Sequence, residues 1–223
     1  IFGDENSARL DRKLLGKVFL DKTKREDVDF INGFNPSHLG GGGDIIKSIM
    51  QAYGINGLDY DLTNILTQVH SELSTRKVLL VGHSQGTFYT NEAYDYLVEN
   101  GVPKESIAVY NVATPADKVA GDGDYLTSST DKLIDSVVRE LIALGSAKKP
   151  LPANIDIALS LDEDKDPLGG HSLSNVYLKE APDRIVSDMQ NQMGGLSESP
   201  NIELPDNGCF TAPEITLFHQ ITG

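Results

Sequence analysis

In the run "VLLVGHSQGTFYTNEAYDYL" (Val78–Leu97) a serine stands two residues from a glycine on either side, as Gly82-His83-Ser84-Gln85-Gly86. Branched apolar residues precede it and a helical pattern follows. A structural turn needs a glycine or two, but it does not need a serine held between them. A G-x-S-x-G segment joining a strand to a helix turns so sharply that the serine backbone is strained and its hydroxyl stands above the sheet. Gly82 and Gly86 let strand and helix approach without Cβ clashes. The Gln85 N–H then points into the space where an oxyanion would form, helped by the positive end of the helix dipole. The chemistry implied is nucleophilic attack by Ser84 on a carbonyl. The competing reading is a tight turn with an idle serine.

The elements around this segment alternate. Asp27–Gly33 ("DVDFING") reads as a buried strand, and Gly43–Gly54 as a helix ended by glycine. Leu62–Leu73 puts Leu62, Ile65, Leu66, Val69 and Leu73 on one helical face. Lys77–Gly82 is a short apolar run of the kind found in central parallel strands. Gln85–Glu99 is the next helix and Ser106–Ala113 the next strand. Further strands are expected at Asp124–Ser129 and Asn154–Ser160, and helices at Leu133–Leu144 and Ala181–Met193. Strand–helix–strand–helix order predicts an α/β fold with a mostly parallel sheet flanked by helices on both faces. Neither a repeat nor a low-complexity linker interrupts residues 1–223, which read as one domain. About 1–26 read as an N-terminal extension and about 194–223 as a C-terminal tail. Leu133–Pro152 is long enough only for a small cap.

The totals exclude several classes. The chain has 223 residues, 39% hydrophobic and 23% charged, enough apolar material for a core and against global disorder. A net charge of −14 argues against nucleic acid, whose phosphates need clustered Lys and Arg. It also disfavours anionic membrane surfaces for the protein as a whole. The single cysteine, Cys209, excludes an intramolecular disulfide and leans towards a reducing compartment. It has no evident base and reads as inert. No run approaches the roughly 18 apolar residues of a membrane span. The chain opens at Ile1 without an initiator Met or a signal pattern, so it reads as a mature secreted form or an excised domain.

On the strand–elbow–helix setting and the order of motifs, the segment from about Asp27 to about Leu178 resembles the α/β-hydrolase family, and within it the lipases and esterases. That family orders its triad as nucleophile, acid, histidine, so the resemblance implies two partners downstream of Ser84. Of the five histidines, His38 and His70 precede the serine, while His83 lies inside the elbow, facing away from it. His171, in the glycine loop "DPLGGHSLSNVYL", fits the loop in which the family carries its histidine. His219 lies near the end and reads as packing or surface. The acid has several candidates: Asp117, Asp122, Asp124, Asp131 and Asp135. The family's acid follows the second strand after the elbow helix, which favours Asp131 in "SSTDKLID", with Asp124 as the alternative. Asp131 also reads as a helix first-turn residue interacting with the dipole.

The second oxyanion donor of the family comes from the loop after an early strand. Asn32-Gly33-Phe34 resembles its His-Gly-x turn with Asn in place of His, which points to the Phe34 N–H and then to Asn35. Gly40–Gly43 reads as a rim; without a following Gly-Lys-Ser/Thr it is no phosphate loop. Asp162, Asp164 and Asp166 are spaced like the start of a calcium loop, but Pro167 and Leu173 stand where glycine and glutamate belong. A solvated acidic loop is the better reading. The expectation is a cofactor-free, metal-free serine hydrolase acting on a small-molecule or lipid ester. Its rivals are a thioesterase, amidase or acyltransferase with the same triad, and a non-catalytic hydrolase-like binding domain.

Overall fold

Residues 107–112, IAVYNV, are buried along their whole length, as only a strand covered on both faces and paired on both edges can be. In the computed structural model this strand is the centre of a three-stranded parallel sheet. The structure describes residues 5–32, 65, 66, 69, 72, 73, 76–159 and 169–198. The labelled elements are α1 (Glu5–Thr23), β1 (Val78–His83), α2 (Gly86–Glu99), β2 (Ile107–Val112), β3 (Asp124–Leu126), α3 (Lys132–Ala143) and α4 (Pro182–Gly194). β1 pairs with β2 from Val78↔Ile107 to His83↔Val112, and β2 with β3 from Tyr110↔Asp124 to Val112↔Leu126.

Strand alternation sends side chains to two separate cores. Leu80, Ile107 and Val109 face α2, where they meet Tyr89, Ala93 and Leu97. Tyr110 and Val112 face the other way, towards Leu15 and Phe19 of α1 and Ile185, Val186 and Met189 of α4. The fold is therefore α/β, a small parallel sheet with helices on both sides. No described helix is long and apolar enough to cross a membrane.

Several elements differ from expectation. The helix α1 occupies most of the stretch read as an extension, and Phe19 within it is fully buried. Its charge-rich sequence, ENSARLDRKLLGKVFLDKT, hides a narrow apolar stripe. Asp27–Gly33 was expected as a strand; its described part, through Asn32, joins no ladder. Asn154–Ser160 likewise makes only an isolated parallel bridge, Ser128↔Ile155. The strand expected over Asp124–Ser129 stops at Leu126, because the Thr127 N–H is taken at 2.9 Å by the Asn154 side-chain carbonyl.

The other expectations correspond closely. α2 begins at Gly86 with Gln85 as its cap, and α3 and α4 lie within a residue or two of their predicted limits. Within Leu62–Leu73 the described residues Ile65, Leu66, Val69, Glu72 and Leu73 are helical, with Leu66 and Leu73 buried. In α3, Leu133, Ile134, Val137 and Leu141 pack inward, while Ile142 and, just past the helix, Leu144 are exposed. The Gly43–Gly54 helix lies outside the described residues.

If α1 is integral to the core, Phe19→Ala should cost about 3–4 kcal/mol, the usual penalty for emptying a buried aromatic site. Urea unfolding followed by circular dichroism measures it; a loss below about 1 kcal/mol would mean that α1 is only loosely attached.

Candidate active site

Parallel strands put their carboxyl ends on one side, and in α/β sheets that side is where ligands are bound. Ser84 directly follows β1, and Asp131 follows β3 after a polar turn. The elbow is tight. Ser84 has φ +57°, the left-handed region that disfavours a Cβ. Its N–H donates to the Val112 carbonyl at 3.1 Å, and its carbonyl accepts the Thr87 hydroxyl at 2.8 Å. The Thr87 oxygen in turn accepts from the Thr114 hydroxyl at 3.0 Å. Gly82 is required by close approach: a Cβ there would lie 2.7–2.9 Å from Asn111 Oδ1, Thr90 Oγ1 and Thr87 Cα. The strained residue is thus held from both sides of its peptide unit, and the Gln85 N–H is among the leading groups of α2 that have no partner within the helix.

Three side chains meet above this turn. His171 Nε2 lies 2.7 Å from Ser84 Oγ. His171 Nδ1 lies 2.9 Å and 3.1 Å from the two Asp131 carboxylate oxygens. A carboxylate only accepts, so Nδ1 carries the proton, and the bare Nε2 takes the hydrogen bond from the serine hydroxyl. Asp131 is also the N-cap of α3, its Oδ1 accepting the Leu133 and Ile134 N–H groups at 3.1 Å each. One side chain therefore both starts the helix and lies against the histidine. Its Oδ2 further accepts the Tyr177 hydroxyl at 3.0 Å.

The remaining acid candidates are elsewhere. Asp124 is exposed and accepts from Gln192 at 2.8 Å. Asp135 is exposed and pairs with Arg139, and Asp117 and Asp122 are exposed as well. Phe34, His38, Gly40–Gly43, His70, Asp162–Asp166, Cys209 and His219 lie outside the described residues, so the second oxyanion donor and the calcium-loop reading rest on sequence. Among the described residues no group of three or more His, Cys, Asp or Glu side chains is placed to hold a metal.

His83 and Tyr177 were not singled out as partners of the site by their sequence setting. His83 does not point at Ser84, but its ring centroid is 5.0 Å from that of His171, and its Nε2–H donates to the His171 carbonyl at 2.9 Å. Among the described residues its buried Nδ1 has no partner. Burial, and then the charge that His171 would carry, push the His83 pKa well below the ordinary histidine range. Neither residue has a signature of its own; a histidine inside the elbow was the nearest signal.

The site is closed to solvent: Ser84 is 2% exposed, and Asp131 and His171 1% each. A cavity of about 460 Å³ runs beside β1 from Lys77 to His83 and Gly86, lined by apolar groups including Leu15, Val28, Phe30 and Met189. It flanks the elbow; Ser84, Asp131 and His171 are not among its lining residues. No family model matches this chain, and the searches of curated proteins and of solved structures also found no match.

The strain at Ser84 can be isolated from its hydroxyl. Ser84→Ala and Ser84→Gly both lose the bond to His171, and only the first keeps a Cβ at positive φ. Ser84→Gly should be the more stable by about 1 kcal/mol, read from urea midpoints; equal midpoints would mean an unstrained elbow. The depressed His83 titration gives a second outcome. Below about pH 6.5, the ordinary histidine value, the unfolded chain binds a proton that the folded chain refuses, so folding weakens as pH falls. Urea midpoints at pH 7 and pH 5 should therefore converge in His83→Gln relative to the wild type.

Proposed function

We propose that this chain is a serine hydrolase of the α/β-hydrolase fold that cleaves carboxylic esters, similar to lipases and esterases. The observation that carries the proposal is the 2.7 Å contact from Ser84 Oγ to a His171 Nε2 whose other nitrogen is held by a buried carboxylate. The chain order Ser84, Asp131, His171 and the positive φ of Ser84 support it.

The chemistry follows from these positions. Ser84 Oγ attacks the ester carbonyl carbon while its proton passes to His171 Nε2. Asp131 keeps the imidazole in the tautomer that can accept, then faces the imidazolium that forms. The oxyanion of the tetrahedral intermediate is met by the Gln85 N–H, with the Phe34 N–H expected as the second donor. Collapse breaks the bond to the leaving oxygen, which takes the proton from Nε2 and departs as alcohol. Water then gives a proton to Nε2, attacks the acyl-serine, and a second collapse returns the proton to Ser84 and releases the acid. No step calls on a cofactor. Because the serine is covered, substrate must first gain an opening to it.

The test is labelling by a fluorophosphonate, with and without detergent micelles to help open the site, followed by peptide mapping. Wild type should take up one equivalent on Ser84. Ser84→Ala should take up none while unfolding cooperatively in urea, and His171→Ala should label at least about a hundred-fold more slowly. A folded wild type that stays unlabelled in both conditions would discard the hydrolase reading in favour of a binding domain. A panel of esters, thioesters and amides with graded acyl chains then separates the rival acyl-transfer chemistries.

A further inference from the structure

Tyr177 is fully buried, six residues beyond His171, at the end of a π-helical turn, Leu173–Tyr177. Its N–H reaches back to the Ser172 carbonyl at 3.2 Å, five residues earlier. This wide turn lets one short segment present two side chains to the same carboxylate. The phenol oxygen accepts the Ser128 N–H at 2.9 Å, so its own proton is left for Asp131 Oδ2, 3.0 Å away. That oxygen is also the nearer one to His171 Nδ1, at 2.9 Å. Phenol and imidazole therefore draw on the same lone-pair density, while Oδ1 is occupied by the head of α3.

We propose that Tyr177 is a positioning residue that sets how strongly Asp131 grips the imidazolium of His171. The proposal rests on the hydrolase reading above. A donor on Oδ2 spreads the negative charge of the carboxylate and lowers its pull on the imidazolium. It also bars the carboxylate from rotating away from the ring. The phenol remains a donor at every working pH, because burial and the charge of Asp131 raise its pKa above the ordinary tyrosine range. Among the described residues, the groups around this cluster include neutral His83 from β1, Ser84 from the elbow, Asp131 followed by the exposed Lys132 at the head of α3, and Asp11 of α1, whose carboxyl pKa is raised by burial and which is hydrogen-bonded to Ser174 in the π turn. Tyr110 of β2 stands behind Tyr177, itself bonded to Asp188, which pairs with Arg184 of α4.

The experiment is the pH dependence of fluorophosphonate labelling in detergent, on wild type, Tyr177→Phe and Val176→Ala. Val176 is buried next door and makes a packing control. Tyr177→Phe should still label on Ser84 at high pH, with the whole carboxylate charge left to the ring. Its acid limb should move up by about half a pH unit or more, since the imidazolium is held more tightly. Val176→Ala should lose stability and keep the wild-type limb. Should Tyr177→Phe fail to fold, a fluorinated tyrosine at 177, a stronger donor of nearly the same shape, should move the limb the other way. A labelled wild type whose limb stays put in every folded Tyr177 variant overturns the positioning role alone. An unlabelled wild type overturns the hydrolase reading, and this role with it.

Discussion

The Asp131 carboxylate has no side-chain exposure, and the rest of the site is arranged around that fact. Moving a carboxylate out of water costs several kcal/mol even after relaxation, so it persists as an ion only where fixed donors replace its hydration. Here the replacements are the Leu133 and Ile134 amides, the Tyr177 hydroxyl and the His171 ring N–H. They come from the start of α3 and from the segment around the π turn. One charge therefore draws together the parts of the chain that carry the acid and the histidine, and in doing so fixes the imidazole at the distance that lets it reach Ser84.

The sheet supplies the other fixed reference. Ser84 can hold a positive φ because its amide is bound to the end of β2 and its carbonyl to Thr87, which Thr114 backs in turn. The strain of about 1–2 kcal/mol is small against two packed cores and is spread over a buried threonine network. His83 adds a tie between the elbow and the backbone of His171. Loop residues are thereby held to the precision of a sheet, which is what preorganisation requires of groups that must meet within a hydrogen-bond length.

The elbow could be read from the chain because a β-type apolar run, two glycines and a helical pattern share one short window, and local rules suffice there. His171 and Asp131 needed chain order as well as local pattern, and Asp131 was ambiguous because a helix N-cap and a triad acid are written with the same residue. In the structure one carboxylate both caps α3 and lies against His171 Nδ1. Tyr177 could not be found this way: "SLSNVYL" looks like any apolar helical start, and only the tertiary fold brings it to Asp131. The strand expectations at Asp27–Gly33 and Asn154–Ser160 failed in their described parts for a related reason. An apolar run predicts burial, while a ladder needs a partner edge, and that is not a local property. The helix α1 was missed because its apolar stripe is diluted by charge.

The double duty of Asp131 has a dynamic consequence. Helix ends open and close more easily than helix centres, and such opening is a local equilibrium with its own free energy. Here each opening of the first turn of α3 would remove two amides from Asp131. The fraction of molecules in which His171 faces a fully bonded carboxylate is then tied to the hydrogen-exchange protection of the Leu133 and Ile134 amides. A substitution far along α3, at the buried Leu141 for example, would act on the carboxylate through that equilibrium without touching it.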